Sequence, residues 1–309
     1  MLRKWGIRTL RESNVNNLQK KRRLQHPLGF VMVFFVICFT ARIVDSLFIR
    51  TDQGVIGELF VHKLFGIVLM GIALYFLEIK WSDIGFNRDR FVKGLLVGLG
   101  LGVPTYGIAY LVECIAMEIK GVSPQIQFYT TSYNVLGNTE LQTGIAFVFI
   151  CIVGNIINVV MEDGMFRGLF LNIAEKRVSF IKAMIFSSVL FGIWHGIMPL
   201  RNFLLKEQSA GGALMNAFML IITSFIFGVV LCLLCKVEGS LWAGMSVHFI
   251  NNASVNLLHI VTSSGADVMQ TMRITIAQVV LTVIVIMWYI VKKKKQGKNN
   301  QEVLGCIGS

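Results

Sequence analysis

Three short stretches place chemically capable residues inside long apolar runs. The first is Met161–Glu162–Asp163–Gly164–Met165–Phe166–Arg167–Gly168. On a helix Asp163 and Arg167 stand four apart, acid before base, and can pair along one face. Glu162 points about 100° away from Asp163 and shares its side of the helix with Asn155 and Asn158, so one carboxylate is left unpaired on a polar stripe. The second stretch is Phe191–Gly192–Ile193–Trp194–His195, near the end of an apolar helix that Pro199 is expected to close. The third is His248–Phe249–Ile250–Asn251–Asn252, where His248 and Asn252 share a helical face that Asn256 and His259 would extend. Each stretch alone has a plain structural reading: a neutralised ion cluster, a hydrogen-bonded packing histidine, an interhelical hydrogen-bond seam. Together they suit hydrolysis of an amide. A carboxylate with a histidine partner can hold and deprotonate water. A second histidine and an asparagine can hydrogen-bond the developing oxyanion.

The order Glu-Asp-x-x-x-Arg, then Phe-x-x-x-His, then His-x-x-x-Asn resembles the three motifs of the CPBP family. These are CAAX protease and bacteriocin-processing membrane endopeptidases, also called the Abi or type II CAAX prenyl endopeptidase group. The resemblance covers about residues 141–265 in detail and the whole chain in hydropathy. The family's first motif usually carries two glutamates; Asp163 here is one methylene shorter. The resemblance implies Glu162 as general base, His195 as a partner for the attacking water, and His248 and Asn252 as the oxyanion site. Asp163 and Arg167 would support the first helix electrostatically. A metal-free, glutamate-dependent mechanism is favoured. Zn²⁺, if used, would draw on Glu162, His195 and His248 in an open three-ligand site, although no His-Glu-x-x-His occurs.

Other chemistries fit less well. Ser246 could offer a nucleophile, but it lies two residues before His248, about 200° away on one helix, and cannot pair with it. Asp45 and Asp163 make a poor aspartyl pair. A transporter or a non-catalytic immunity or scaffold protein of the same shape is the alternative from another class. Cys232 and Cys235 form a CxxC without a second one or nearby ligands, and read as packing residues.

The elements that must position these groups are membrane helices. Of 309 residues 55% are hydrophobic and 15% charged, and the mean hydropathy is +0.68. A soluble domain of this size could not hide so much apolar surface. Runs at about 28–49, 54–79, 91–118, 141–173, 180–200, 212–235, 240–261 and 274–291 approach or exceed the ~20 residues that cross a bilayer. The expected fold is all-α, a polytopic transmembrane bundle of about eight spans. The first two carry Arg42, Asp45, Glu58, His62 and Lys63, costly in lipid unless they face protein. Gly94, Gly98 and Gly102 put small residues on one face, a sign of close packing. Trp81–Phe86 reads as interfacial.

The net charge of +12 gathers at the ends of apolar runs and does not imply nucleic acid. Alternate connections carry 21 Lys and Arg on one side, including Lys20–Lys21–Arg22–Arg23 and Lys292–Lys295, against Arg50, Lys120, Arg201, Lys206 and Arg273 on the other. Both termini are therefore expected in the cytoplasm. The expected organisation is a basic arm (1–26), N-terminal helices (27–120), an outer loop (121–140, with Pro124 and Gly137), a catalytic core (141–265), a last span (266–291) and a basic tail (292–309). No cleaved signal peptide and no disulfide framework are expected. The C-terminus, Gly305–Cys306–Ile307–Gly308–Ser309, lacks the four-residue Cys-a-a-X pattern. The expected partners are the bilayer of the plasma membrane and a peptide or protein substrate.

Overall fold

A computed structural model describes residues 25–53, 59–130 and 143–307, with side chains as far as residue 295. Lys20–Arg23, Glu58 and Gly137 lie outside the described residues, as do the side chains of Lys298 and Cys306.

The chain is a helical bundle. Helix α1 (Pro27–Val44) opens on a proline, whose missing N–H costs nothing there, and widens into a π turn over Asp45–Ile49. Helices α2 (Val61–Leu77) and α3 (Phe91–Ile119) follow. Helix α4 (Ile145–Asp163) runs through a second π turn (Gly164–Phe170) into α5 (Leu171–Glu175). Then come α6 (Phe180–His195), α7 (Ile197–Leu204), α8 (Ala210–Glu238), α9 (Trp242–Leu257) and α10 (Gln270–Ile307).

Among the described residues six rods are long and apolar enough to cross a membrane: Pro27–Ile49, Arg88–Ile119, Ile145–Glu175, Phe180–Leu204, Ala210–Glu238 and Gln270–Lys295. The other two expected spans are shorter helices. α2 has 17 residues and α9 has 16, about 25 Å each at 1.5 Å per residue. The expected span 240–261 is cut short because the chain turns extended after Leu257. Strand β2 (Leu258–Thr262) pairs antiparallel with β1 (Gln125–Phe128) and β3 (Gly265–Ala266), and Gln127 faces His259 in the register. Part of the expected outer loop is thus a strand, and His259 does not extend the face of His248. Pro199 does not close the His195 helix either. The α-helix breaks three residues earlier, at Gly196, and Pro199 sits in the first turn of α7, where proline is tolerated.

Packing fixes the site helices. On α3, a Cβ added to Gly94 would meet Trp242 Cβ at 2.5 Å, one on Gly98 would meet Ser246 Cβ at 2.4 Å, and one on Gly102 would meet Ile250 at 2.5 Å. The glycine stripe is therefore the groove into which α9, the helix of His248 and Asn252, is pressed. At the start of α9 the Gly85 carbonyl accepts from Leu241 N–H at 2.9 Å. Gly85 has φ 102°, a conformation that favours glycine. Phe166 lies at the centre of the core, edge-on to Phe170, Phe191 and Trp194. At one end of the bundle Arg90 bonds the Glu238 carbonyl, Lys236 pairs with Glu175 at 2.7 Å, and Lys292 bonds the Val237 carbonyl. Arg90, Lys236 and Lys292, from three separate connections, thus meet at that end.

Candidate active site

Glu162 and Asp163 are the last residues of α4 before its π turn, a device that recurs at functional sites. Both carboxylates are buried; Glu162 is 2% exposed. Asp163 Oδ1 pairs with Arg167 Nη1 at 3.2 Å, the contact the four-residue spacing suggested. Arg167 also lies over the Phe191 ring at 3.7 Å. The other oxygen, Asp163 Oδ2, stands 3.2 Å from His248 Nδ1. Asp163 thus links α4 to α9 as well as to its own helix, a role that its spacing from Arg167 gave no hint of.

Glu162 Oε1 accepts from Trp194 Nε1 at 2.8 Å and from Arg42 Nη1 at 3.4 Å. Oε2 has no hydrogen-bond partner among the described residues, although His248 Nε2 stands 3.7 Å away. His195, one helical turn after Phe191, has Nδ1 2.8 Å from the Phe191 carbonyl. A carbonyl only accepts, so Nδ1 carries the hydrogen, and Nε2 of the neutral ring keeps a lone pair. Asn252 Oδ1 accepts from Asn251 Nδ2 at 3.0 Å, and Asn251 Oδ1 accepts from Tyr106. That chain leaves the Asn252 NH₂ as the free end of its amide.

One cavity of about 290 Å³ is lined by Glu162, His195, His248 and Asn252 together. Asn158, from the predicted polar stripe, also lines it, whereas Asn155 points away and accepts from Asn256 at 3.5 Å. Ser246 hydrogen-bonds the Leu95 carbonyl on the α3 side. His259 belongs elsewhere, between Asp267 at 2.5 Å and the Tyr129 carbonyl at 3.1 Å.

Sequence reasoning missed the contribution of the N-terminal helices. Arg42, His62 and Lys63 line the same cavity. The signal was present, because ionisable residues in apolar runs face protein or water, but their distance in sequence concealed the destination. Trp194, within the second motif, acts as the Glu162 donor. Among the described residues no three His, Cys, Asp or Glu side chains converge as a metal site, and both Glu162 Oε1 and His248 Nδ1 are engaged by other side chains.

No curated protein matches the chain in sequence comparison. Residues 144–254 match the family model described as Type II CAAX prenyl endopeptidase Rce1-like. That interval contains Glu162, Asp163, Arg167, His195, His248 and Asn252, and the match agrees with the family that the three motifs resemble.

Proposed function

We propose that the chain is an intramembrane endopeptidase that hydrolyses a peptide bond of a membrane-associated substrate with an activated water. The observation that carries this reading is the single cavity that four polar side chains from three separate helices line together. Glu162 is the base: Oε1 is held by Trp194 and Arg42, and Oε2 is left to take a proton from water. His195 Nε2 accepts a hydrogen bond from the water and orients it without taking its proton. As the water oxygen bonds the carbonyl carbon, charge develops on the carbonyl oxygen. The Asn252 NH₂ donates to it. His248, whose ring lines the same cavity, is the second donor, from Nε2. Collapse of the tetrahedral adduct breaks the C–N bond, and the proton on Glu162 leaves with the amine.

The family description makes prenylated C-terminal peptides the first substrates to examine. Peptide pheromones, bacteriocin leaders and membrane-protein segments share the chemistry. The protein would act from the plasma membrane with both termini inside. The test compares the membrane peptidomes of cells expressing wild type and Glu162→Gln. Peptides released only by wild type are expected. Identical peptidomes would favour a non-catalytic scaffold.

A further inference from the structure

His62 lies outside the family-matched interval and outside all three motifs, yet it lines the same cavity. It is 2% exposed. Its Nδ1 stands 2.8 Å from Asp45 Oδ2, which also accepts the His62 backbone N–H at 3.0 Å. The second oxygen, Asp45 Oδ1, accepts from Thr51 at 2.9 Å, and Thr51 Oγ1 accepts the Phe60 N–H at 3.1 Å. Asp45 belongs to the π turn that ends α1 and is fully buried. Its oxygens are committed to fixing the ring, so Nδ1 donates and Nε2 of the neutral ring holds the lone pair. No described residue hydrogen-bonds His62 Nε2, which is buried. The ring lies 5.7 Å from that of Trp194, the residue that donates to Glu162.

We propose that His62, oriented by Asp45, is a further catalytic residue: a second base that removes the last proton of the hydrolytic water. The proposal rests on the peptidase reading above. In that reaction Glu162 takes the first proton and returns it to the leaving nitrogen as the C–N bond breaks. The new carboxylic acid still holds the second proton, and its ionisation would set a carboxylate beside ionised Glu162. His62 Nε2 accepts this proton as the acid O–H bond breaks, giving a product carboxylate and an imidazolium paired with Asp45. The imidazolium then passes the proton to the freed amine. One water is consumed, one C–N bond is broken, and the protein returns to its starting state. The carboxylate–imidazole dyad is the arrangement that supports a histidine base elsewhere.

The test uses a synthetic copy of a peptide that wild-type membranes cut and Glu162→Gln membranes do not. His62→Gln should lower kcat about 100-fold and leave KM within about twofold. Asp45→Asn, which presents N–H to Nδ1 and drives the hydrogen to Nε2, should cost at least about tenfold. Added imidazole should restore His62→Gly by about tenfold or more. A His62→Gln enzyme within about twofold of wild type, a loss wholly in KM, or a folded His62→Gly that imidazole does not rescue would overturn the proposal alone. If no peptide distinguishes wild type from Glu162→Gln, the peptidase reading falls and takes this one with it.

Discussion

His248 and His259 stand on the same stretch of chain, and each begins a buried His–Asp–Arg series. His248 Nδ1 meets Asp163 at 3.2 Å, and Asp163 meets Arg167 at 3.2 Å. His259 Nδ1 meets Asp267 at 2.5 Å, and Asp267 meets Arg273 at 2.8 Å. The two series differ in what lies beyond Nε2. His259 Nε2 faces the Tyr129 carbonyl, and its ring stacks on Tyr129 at 3.9 Å. Arg273 continues to Glu113 at 3.2 Å and lies over Tyr110. Both ring nitrogens of His259 end on protein, and the ion pairs beyond them tie the residue after β1, β2, α3 and α10 together. His248 Nε2 faces Glu162 across 3.7 Å and opens onto the cavity. The residue types are the same in both places; a ring nitrogen that opens onto a cavity separates the proposed site from a rivet.

That contrast predicts opposite phenotypes. The largest effect belongs to the rivet. Arg273→Ala would leave Glu113 buried without its cation, at a cost of about 3–5 kcal/mol in unfolding free energy. Denaturant titration in mixed micelles measures it, and the surviving folded fraction should keep its kcat. The site should respond the other way. Asn252→Ala removes one of the two proposed oxyanion donors and should lower kcat about 100- to 1,000-fold, with a melting temperature unchanged within error. A large stability loss in Asn252→Ala, or a large kcat loss in folded Arg273→Ala, would erase the distinction.

The smallest effect is a pH dependence of the clamp. Burial alone would raise the Asp267 carboxyl. Hydrogen bonds from His259, Arg273 and the Ile260 N–H outweigh it and hold the group down at about 2. A carboxyl depressed on folding stabilises above its unfolded value, near 4, and loses that contribution as pH falls toward about 2. Stability should therefore decline through that window, and Asp267→Asn should flatten the decline. An unchanged acid profile in Asp267→Asn would count against the clamp.

Much of the inner region was legible before any coordinates. Glu162, His195, His248 and Asn252 announce themselves because ionisable and amide groups are expensive in apolar helices, and the Gly94–Gly98–Gly102 spacing anticipated a close approach. What stayed hidden was set by tertiary contact. Nothing near Arg42 or Asp45 in sequence says that α1 and α2 meet α4 and α6 around a cavity. The span ending at 261 was misjudged because Leu258, Ile260 and Val261 are as apolar as a helix interior, and only their pairing with β1 makes them a strand. His259 was misassigned for the same reason: a helical face was extended past the residue where the helix stops.

The central claim is that Glu162 activates water in a cavity shared with His195, His248 and Asn252. It is tested most directly by reconstituting wild type and Glu162→Gln in lipid vesicles and measuring kcat and KM on one cleavable peptide. The account predicts that Glu162→Gln, isosteric but unable to take a proton, loses about 1,000-fold in kcat while binding the peptide as wild type does. A Glu162→Gln enzyme with wild-type kcat would contradict it.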